Sequence, residues 1–163
     1  RYLEAYWSRW PGIWVHGDWA LVDEDGFWFI LGRSDDTIKV AGKRVGPAEV
    51  EAAALDGTQV AEAAAVGVPD PVKGQSVVIF AVAKPGGDAG AIPAAVSRSV
   101  ERSLGKPFKP AAVHVIPRLP KTRNGKILRR VIKNVFLGDP PGDLSSMDDL
   151  DSLEPIRGLS TKP

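Results

Sequence analysis

A short loop, Pro120-Lys121-Thr122-Arg123-Asn124-Gly125-Lys126, holds three cations in an irregular segment. Proline restricts the backbone of such a loop and glycine frees it. The spacing predicts that a helix starts near Lys126, where terminal amides and the helix dipole favour an anion. An ammonium there is a compact charge that can reach a phosphate or carboxylate oxygen. A basic surface loop without a ligand is an equally good interpretation of the spacing alone.

The charge of the chain is unevenly distributed, although the net charge is only +1. Residues 102–138 contain ten Lys or Arg and no acid, whereas residues 139–163 contain six acidic and two basic residues. A cationic segment of this kind implies an anionic partner such as a phosphate, a nucleotide or a nucleic acid. A solvated surface is the alternative.

Several kinds of chemistry are disfavoured by composition. The chain has no cysteine, which excludes disulfides, thiolate zinc sites and a cysteine nucleophile. His16 and His114 are the only histidines and lack a partner pattern, so both are interpreted as packing or hydrogen-bonded residues and no metal site is predicted. No Walker or Rossmann phosphate loop occurs.

The same sequence shows no apolar run of about 18 residues and no signal-peptide layout at its start. It also begins without methionine, so we expect an excised fragment of a cytoplasmic protein with no membrane partner.

The elements that must position these residues follow from hydrophobic periodicity. Two β-hairpins are predicted, one over residues 15–31 and a shorter one over 38–45 around Ala41-Gly42. Further strands and helices are predicted at residues 47–55 (helix), 60–68 and 76–83 (strands, with a turn at Pro69-Asp70), 93–104 (helix), 111–116 (strand) and 126–138 (helix). Arg129, Arg130 and Lys133 fall off the apolar stripe of the last helix, in solvent or against a partner.

This order predicts an α+β fold: a small, mostly antiparallel three-stranded sheet with packed helices, preceded by β-hairpins. All five tryptophans lie within the first 28 residues, and so much aromatic surface normally needs a partner. We therefore expect residues 1–34 to be the edge of a larger domain that is missing from the chain. Residues 139–163 are acidic and poor in apolar residues, and are expected to form a loosely attached tail.

Three motifs in order resemble those of one family. PKTRNGK (residues 120–126) looks like the C-terminal lysine motif of the adenylate-forming enzymes, GRSDDTIKVAGKRVGPAEVE (residues 32–51) resembles their hinge motif, and His16-Gly17-Asp18-Trp19 resembles their ribose-binding motif. The resemblance covers about residues 1–138. The sequence is most similar to the C-terminal domain of AMP-forming acyl-CoA synthetases of the acetyl- and propionyl-CoA branch.

The resemblance implies a two-step reaction with ATP and CoA, in which a carboxylate forms an acyl adenylate and the CoA thiol then displaces AMP. Lys126 is the implied catalytic cation of the first step, and Mg²⁺ is expected with ATP in the missing domain. Residues 35–138 would be a mobile domain that rotates between the steps about the implied hinge residue, Asp35. A simple turn cap at Asp35 or Asp36 is compatible with this role.

Further site residues are carried over by the same resemblance. Asp18 matches the acceptor of the ribose hydroxyl groups, Arg33 a second nucleotide contact, and Arg44 a contact to the AMP phosphate. The Ala41-Gly42 turn matches the wall of the CoA channel. A turn that needs glycine for its conformation alone is an equally good interpretation. Without the resemblance, Asp18 and Arg44 would read as ordinary surface charges.

Two positions fit the family pattern less well. Lys39 is a weak candidate for the second step, because relatives differ there. An arginine that meets the CoA phosphate falls at Glu101, whose charge would repel that phosphate; Arg102, Lys106 or Lys109 could substitute.

The function implied is that of the mobile C-terminal domain of an ATP-dependent carboxylic acid:CoA ligase for a short-chain acid, inactive on its own. Its partners would be the missing N-terminal domain, a small carboxylic acid, and a protein acetyltransferase and deacetylase acting on Lys126. The alternatives are an adenylation domain that loads a carrier protein and a non-enzymatic nucleic-acid-binding module. The latter is disfavoured because few aromatic residues are interleaved with the cations.

Overall fold

The computed structural model describes residues 2–34 and 36–159. The elements in chain order are α1 (Tyr2–Trp7), β1 (Asp18–Val22), β2 (Trp28–Arg33), β3 (Ile38–Val40), β4 (Lys43–Val45), α2 (Pro47–Leu55), β5 (Val60–Asp70), β6 (Gly74–Ala83), α3 (Ile92–Leu104), β7 (Ala112–Val115), α4 (Arg129–Phe136) and α5 (Glu154–Arg157). The predicted α+β class is confirmed. Helix α1 was not predicted.

Strand β6 is the centre of the main sheet. It pairs antiparallel with β5 along its whole length and parallel with β7 on the other edge. These three strands are the predicted three-stranded sheet, and the β3–β4 hairpin joins it where Val40 pairs with Gly74, which gives five strands. The turn predicted at Pro69-Asp70 is wrong: β5 continues through both residues, and the Asp70 carboxylate accepts hydrogen bonds from the amides of the following turn.

Two hydrophobic cores lie on opposite faces of this sheet. Along β6, Val77 and Ile79 belong to a first core with α2 and α3, whereas Val78 and Phe80 belong to a second core with α4. The division follows from the strand period of two, because successive side chains point to opposite faces. The domain is therefore a sheet covered by helices on both faces.

The acidic C-terminal segment is part of the second core, so the expectation of a loosely attached tail was wrong. Met147, Leu153 and Ile156 are buried, with Ile156 at 0% exposure. The acids between them cap local turns: an Asp149 side-chain oxygen accepts a hydrogen bond from the Asp151 amide. Few apolar residues are needed to hold the segment because these three all reach the same face of the sheet.

His114 on β7 packs in the second core between the rings of Phe80 and Phe136, with ring centroids 5.5 Å from each. Its buried Nε2 has no hydrogen-bond partner among the described residues. Desolvation by burial lowers the pKa of His114, so the folded state favours the neutral ring.

This gives a testable pH dependence. A histidine in an unfolded chain titrates at about pH 6.5. Below that pH, the unfolded chain therefore binds more protons than the folded chain. Stability is therefore lost as the pH falls from about 6.5 towards the lower folded-state pKa of His114. We expect His114→Phe to reduce this loss, because the ring shape remains while the titrating group is removed. Urea titrations at several pH values between about 5 and 8 measure the free energy of unfolding of both proteins. The same dependence of this free energy on pH in His114→Phe and in the unmodified protein would contradict the assignment.

The N-terminal segment exposes much apolar surface. Trp28 is 73% exposed, and Trp10, Trp14 and Trp19 are also exposed. The segment is nevertheless tied to the rest of the domain, because the Trp19 Nε1–H donates to the Thr37 hydroxyl at 2.9 Å. That residues 1–34 form the edge of a larger domain stays a prediction.

Within residues 2–34 and 36–159, none of the helices combines the length and the apolar character needed to cross a bilayer. The same residues contain no group of three or more His, Asp or Glu side chains that could hold a metal ion.

Candidate active site

Lys126 lies at the end of a hydrogen-bonded turn. The Thr122 amide donates to the Lys126 carbonyl at 2.8 Å, and the Lys126 amide donates to the Thr122 hydroxyl at 3.1 Å. Gly125 closes the turn with a φ of 79°, a conformation that favours glycine. The Lys126 side chain is exposed, and its amine makes no ion pair with the described residues. The turn thus presents one ammonium group on a defined backbone.

The helix predicted to begin near Lys126 begins at Arg129 instead. Ile127 pairs with Lys121 in an antiparallel bridge, and the Leu128 amide donates to the Pro120 carbonyl. Ile127 and Leu128 pack on the second core, which is why their spacing resembled the start of the apolar stripe. Lys126 therefore does not lie at a helix N-terminus, and the predicted contribution of the helix dipole and terminal amides to anion binding does not apply at this residue.

The turn is bordered by the C-terminal segment. Thr122 pairs with Met147 in an antiparallel bridge. The Arg123 amide donates to the Ser146 carbonyl at 3.2 Å, and the Asp148 amide donates to the Lys121 carbonyl at 3.0 Å. Residues 146–148 thus act as a third strand beside the two arms of the Lys126 turn.

A second group of predicted site residues lines a cleft of about 560 Å³. Asp18, Lys39 and Arg44 line it, together with Trp10 and Trp14. Lys39 and Arg44 face each other across the β3–β4 pair, so their side chains lie on the same face of the hairpin. The fold therefore brings one carboxylate and two cations to a common surface.

Asp18 is held by two neighbours at the rim of this cleft. His16 Nδ1 contacts the Asp18 carboxylate, and Arg33 Nη1 lies 3.6 Å from Asp18 Oδ1. Arg33 also donates to the His16 carbonyl at 2.8 Å. A Cβ on Gly17 would lie 3.0 Å from the Arg33 guanidinium, so the glycine permits this close approach. Of the two interpretations given to His16, packing or hydrogen bonding, the structure favours a polar contact, with Asp18.

The Ala41-Gly42 turn has an unusual backbone. Ala41 has a φ of 48°, the only positive φ of a non-glycine residue in the described parts of the chain, and Gly42 has a φ of 81°. The Ala41 amide donates to the Lys73 carbonyl at 2.9 Å, which holds the turn against the start of β6. A Cβ at Gly42 would meet nothing within 4 Å, so within this chain its conformation alone requires glycine.

Other predicted residues lie apart from these two surfaces. Lys126 is not among the residues that line the cleft. Arg102 pairs with Asp56 at 3.3 Å, and Glu101 pairs with Lys109 at 2.9 Å. Lys109 is therefore engaged with the very acid that was expected to disturb the CoA phosphate site. Asp35, the predicted hinge, lies outside the described residues.

Arg129 was expected in solvent or against a partner, but it forms a bidentate ion pair with Glu51. Arg129 Nε and Nη2 lie 2.7 Å and 2.6 Å from the two Glu51 carboxylate oxygens, and Glu51 is buried. The hydrogen bonds that Arg129 donates to Glu51 raise the pKa of Arg129. The partner lies 78 residues away in sequence, so no local pattern could have shown it.

Ion pairs of this kind neutralise much of the basic segment. Within the described residues, five of its ten cations pair with acids from other parts of the chain: Arg102 with Asp56, Lys109 with Glu101, Arg118 with Asp149, Lys121 with Glu62 and Arg129 with Glu51. The cationic surface is therefore much smaller than the sequence suggested, which weakens the nucleic-acid alternative.

Comparison with known proteins places this architecture in a class. The 3-hydroxypropionyl-coenzyme A synthetase of Sulfurisphaera tokodaii is 44% identical over 158 residues, and an acetyl-coenzyme A synthetase of Pyrobaculum aerophilum is 43% identical over 158 residues; each match covers 96% of this chain and 24% of the relative. The chain thus spans about a quarter of the length of these relatives. The alignments also extend beyond residue 138, so the similarity includes part of the tail.

Solved structures of acyl-CoA synthetases also contain this fold. The acetoacetyl-CoA synthetase from Streptomyces lividans matches with a TM-score of 0.84 and 27% identity over 98% of this chain and 24% of that one. ATP-bound MatB from Rhodopseudomonas palustris matches with a TM-score of 0.68 and 29% identity over 77% of this chain and 24% of that one. The fold is that of a domain of the adenylate-forming superfamily.

Residues 49–126 match the family model described as "AMP-binding enzyme C-terminal domain". This segment is therefore a C-terminal domain of the AMP-binding enzyme type. The recognition made from the three sequence motifs is therefore confirmed.

Proposed function

We propose that this domain is the C-terminal part of an AMP-forming ligase that joins a short-chain carboxylic acid to CoA at the expense of ATP. The products are acyl-CoA, AMP and pyrophosphate. The names of the relatives support a short-chain acid such as acetate or propionate. The acid pocket and the ATP loop are expected in a preceding domain, on which the exposed tryptophans of residues 1–34 would pack. Mg²⁺ would enter with ATP in that domain.

The observation that carries the proposal is the exposed amine of Lys126 on a hydrogen-bonded turn. When a carboxylate attacks the α-phosphorus of ATP, negative charge develops on the phosphoryl oxygens. A positioned cation stabilises that charge most strongly when its position is fixed before the reaction. Lys126 is the group that we assign to this step.

The second step is assigned to the other surface. Asp18 would accept from the ribose hydroxyl groups and Arg33 would contact the nucleotide, both on the side of Asp35 that stays fixed. A rotation about Asp35 would bring Arg44 to the AMP phosphate. The CoA thiol would then reach the acyl adenylate past the Ala41-Gly42 turn, with Lys39 as a weaker candidate in this step. Arg102 is not assigned a CoA contact, because it pairs with Asp56.

Lys126→Ala in the full-length ligase tests the proposal. We expect acyl-adenylate formation, measured by ATP–pyrophosphate exchange, to fall by about a hundredfold or more. Thioester formation from supplied acyl adenylate should stay within about twofold, because Lys126 acts only in the first step. Lys121→Ala is the matched control, since its amine is already paired with Glu62 at 2.6 Å and should affect neither step strongly. Equal loss of both half-reactions in Lys126→Ala would refute the assignment.

Acetylation of Lys126 would regulate the same step, because it removes the charge. The exposed side chain is accessible to a protein acetyltransferase and a deacetylase, and the cytoplasm is the compartment we expect, since ATP and CoA are available there. Mass spectrometry of protein from cells that contain the acetyltransferase would detect the modification. An unmodified Lys126 under those conditions would contradict this part.

A further inference from the structure

We propose that residues 146–148 are a positioning strand that fixes the Lys126 turn for adenylation, with Met147 as its key residue. The inference rests on the proposed function of Lys126. It gives a role to a segment that the sequence suggested was a loosely attached tail.

The connection from Met147 to Lys126 is short and passes through Thr122. Thr122 pairs with Met147 in the antiparallel bridge on one side. On its other side Thr122 holds Lys126 twice, because its amide donates to the Lys126 carbonyl and its hydroxyl accepts from the Lys126 amide. A displacement of Met147 would therefore act on the residue that sets the backbone of Lys126.

The positioning strand is itself fixed to the body of the domain. Met147 is 6% exposed in the second core, and its amide donates to the Leu144 carbonyl. The following residue Asp149 pairs with Arg118 at 2.6 Å. Leu153 and Ile156 then bury the continuation of the chain against the same face of the sheet. The turn thus rests on an anchored neighbour rather than on a free tail.

Positioning matters here because the lysine stem is flexible. The ammonium group lies at the end of a flexible four-carbon stem, so a shift of the backbone that carries the stem also shifts the positions that the amine can reach. A misplacement of about 1 Å in a reacting geometry can cost about a hundredfold in rate. A loosened turn would therefore slow the step that uses Lys126 and leave the step at the other surface unchanged.

The test compares Met147→Ala with Met147→Leu in the full-length ligase. We expect Met147→Ala to lower kcat for adenylation by about tenfold or more. The KM for ATP and the thioester half-reaction should change by less than about twofold. Amide hydrogen exchange at Thr122 and Gly125 should become faster, because their turn bonds open more often. Met147→Leu conserves the volume and should restore both the rate and the protection.

Val96→Ala is the matched control, because Val96 is fully buried in the first core on the other face of the sheet. It lowers stability without touching the Lys126 turn, so it should not separate the two half-reactions. The proposal is overturned if Met147→Ala slows both half-reactions equally, if it leaves adenylation unchanged, or if Val96→Ala produces the same selective loss. Failure of the proposed function is distinguishable: no selective loss in Lys126→Ala overturns both ideas, whereas selective loss there without loss in Met147→Ala overturns positioning alone.

Discussion

Glu51→Ala is expected to lower the free energy of unfolding by about 3 kcal/mol, because it leaves the largely buried charge of Arg129 without its partner. Glu51 accepts two hydrogen bonds from the Arg129 guanidinium and a third from the Ala65 amide at 2.9 Å. The substitution removes all three hydrogen bonds at once, because both carboxylate oxygens are lost. Two groups that cannot reach water easily are then unsatisfied, and each such group is costly.

Glu62→Ala is the matched control for this prediction. Its ion pair with Lys121 has the same 2.6 Å separation as the shorter Glu51–Arg129 contact, but both side chains are about a third exposed or more. Exposed pairs contribute only about 0–1 kcal/mol. Urea unfolding of the 163-residue chain measures both variants. Similar losses in Glu51→Ala and Glu62→Ala would contradict the importance of burial.

Ile156→Ala is expected to lower the free energy of unfolding by about 4 kcal/mol, in the upper part of the range for aliphatic truncations in a packed core. Ile156 is fully buried in the second core, although it lies in the acidic tail. Leu150, only six residues earlier, is 59% exposed, and Leu150→Ala should cost less than about 0.5 kcal/mol. The same denaturation experiment compares the two. A loss below about 1 kcal/mol for Ile156→Ala would show that the tail is loosely attached after all.

Local patterns were sufficient to predict the main strands and helices. Strands β5 and β6 were predictable because each contains a long, nearly continuous run of apolar residues. The start of α4 was misplaced because Ile127 and Leu128 continue its apolar spacing while lying in the bridge with the Lys126 turn. Periodicity alone does not distinguish a buried bridge from a first helical turn.

Contacts between residues far apart in the chain could not be predicted from local sequence patterns. The pairing of Arg129 with Glu51 and of Lys121 with Glu62 joins residues 78 and 59 positions apart. The attachment of the acidic tail was predicted wrongly because its composition is dominated by acids, whereas three apolar residues, Met147, Leu153 and Ile156, pack on one face of the sheet. Lys126 was singled out by its loop, whereas the roles expected for Asp18 and Arg44 depended on family resemblance; the fold places both at one cleft, but their roles stay predictions.

The left-handed backbone at Ala41 restricts which amino acids the position can accept. Valine, isoleucine and threonine would clash in this conformation, whereas glycine, asparagine and aspartate adopt it more easily. A library of variants at position 41, selected only for correct folding, should therefore be enriched in glycine, asparagine and aspartate. If selection for ligase turnover instead retains alanine over glycine, the methyl group itself serves the enzyme, beyond the needs of the turn.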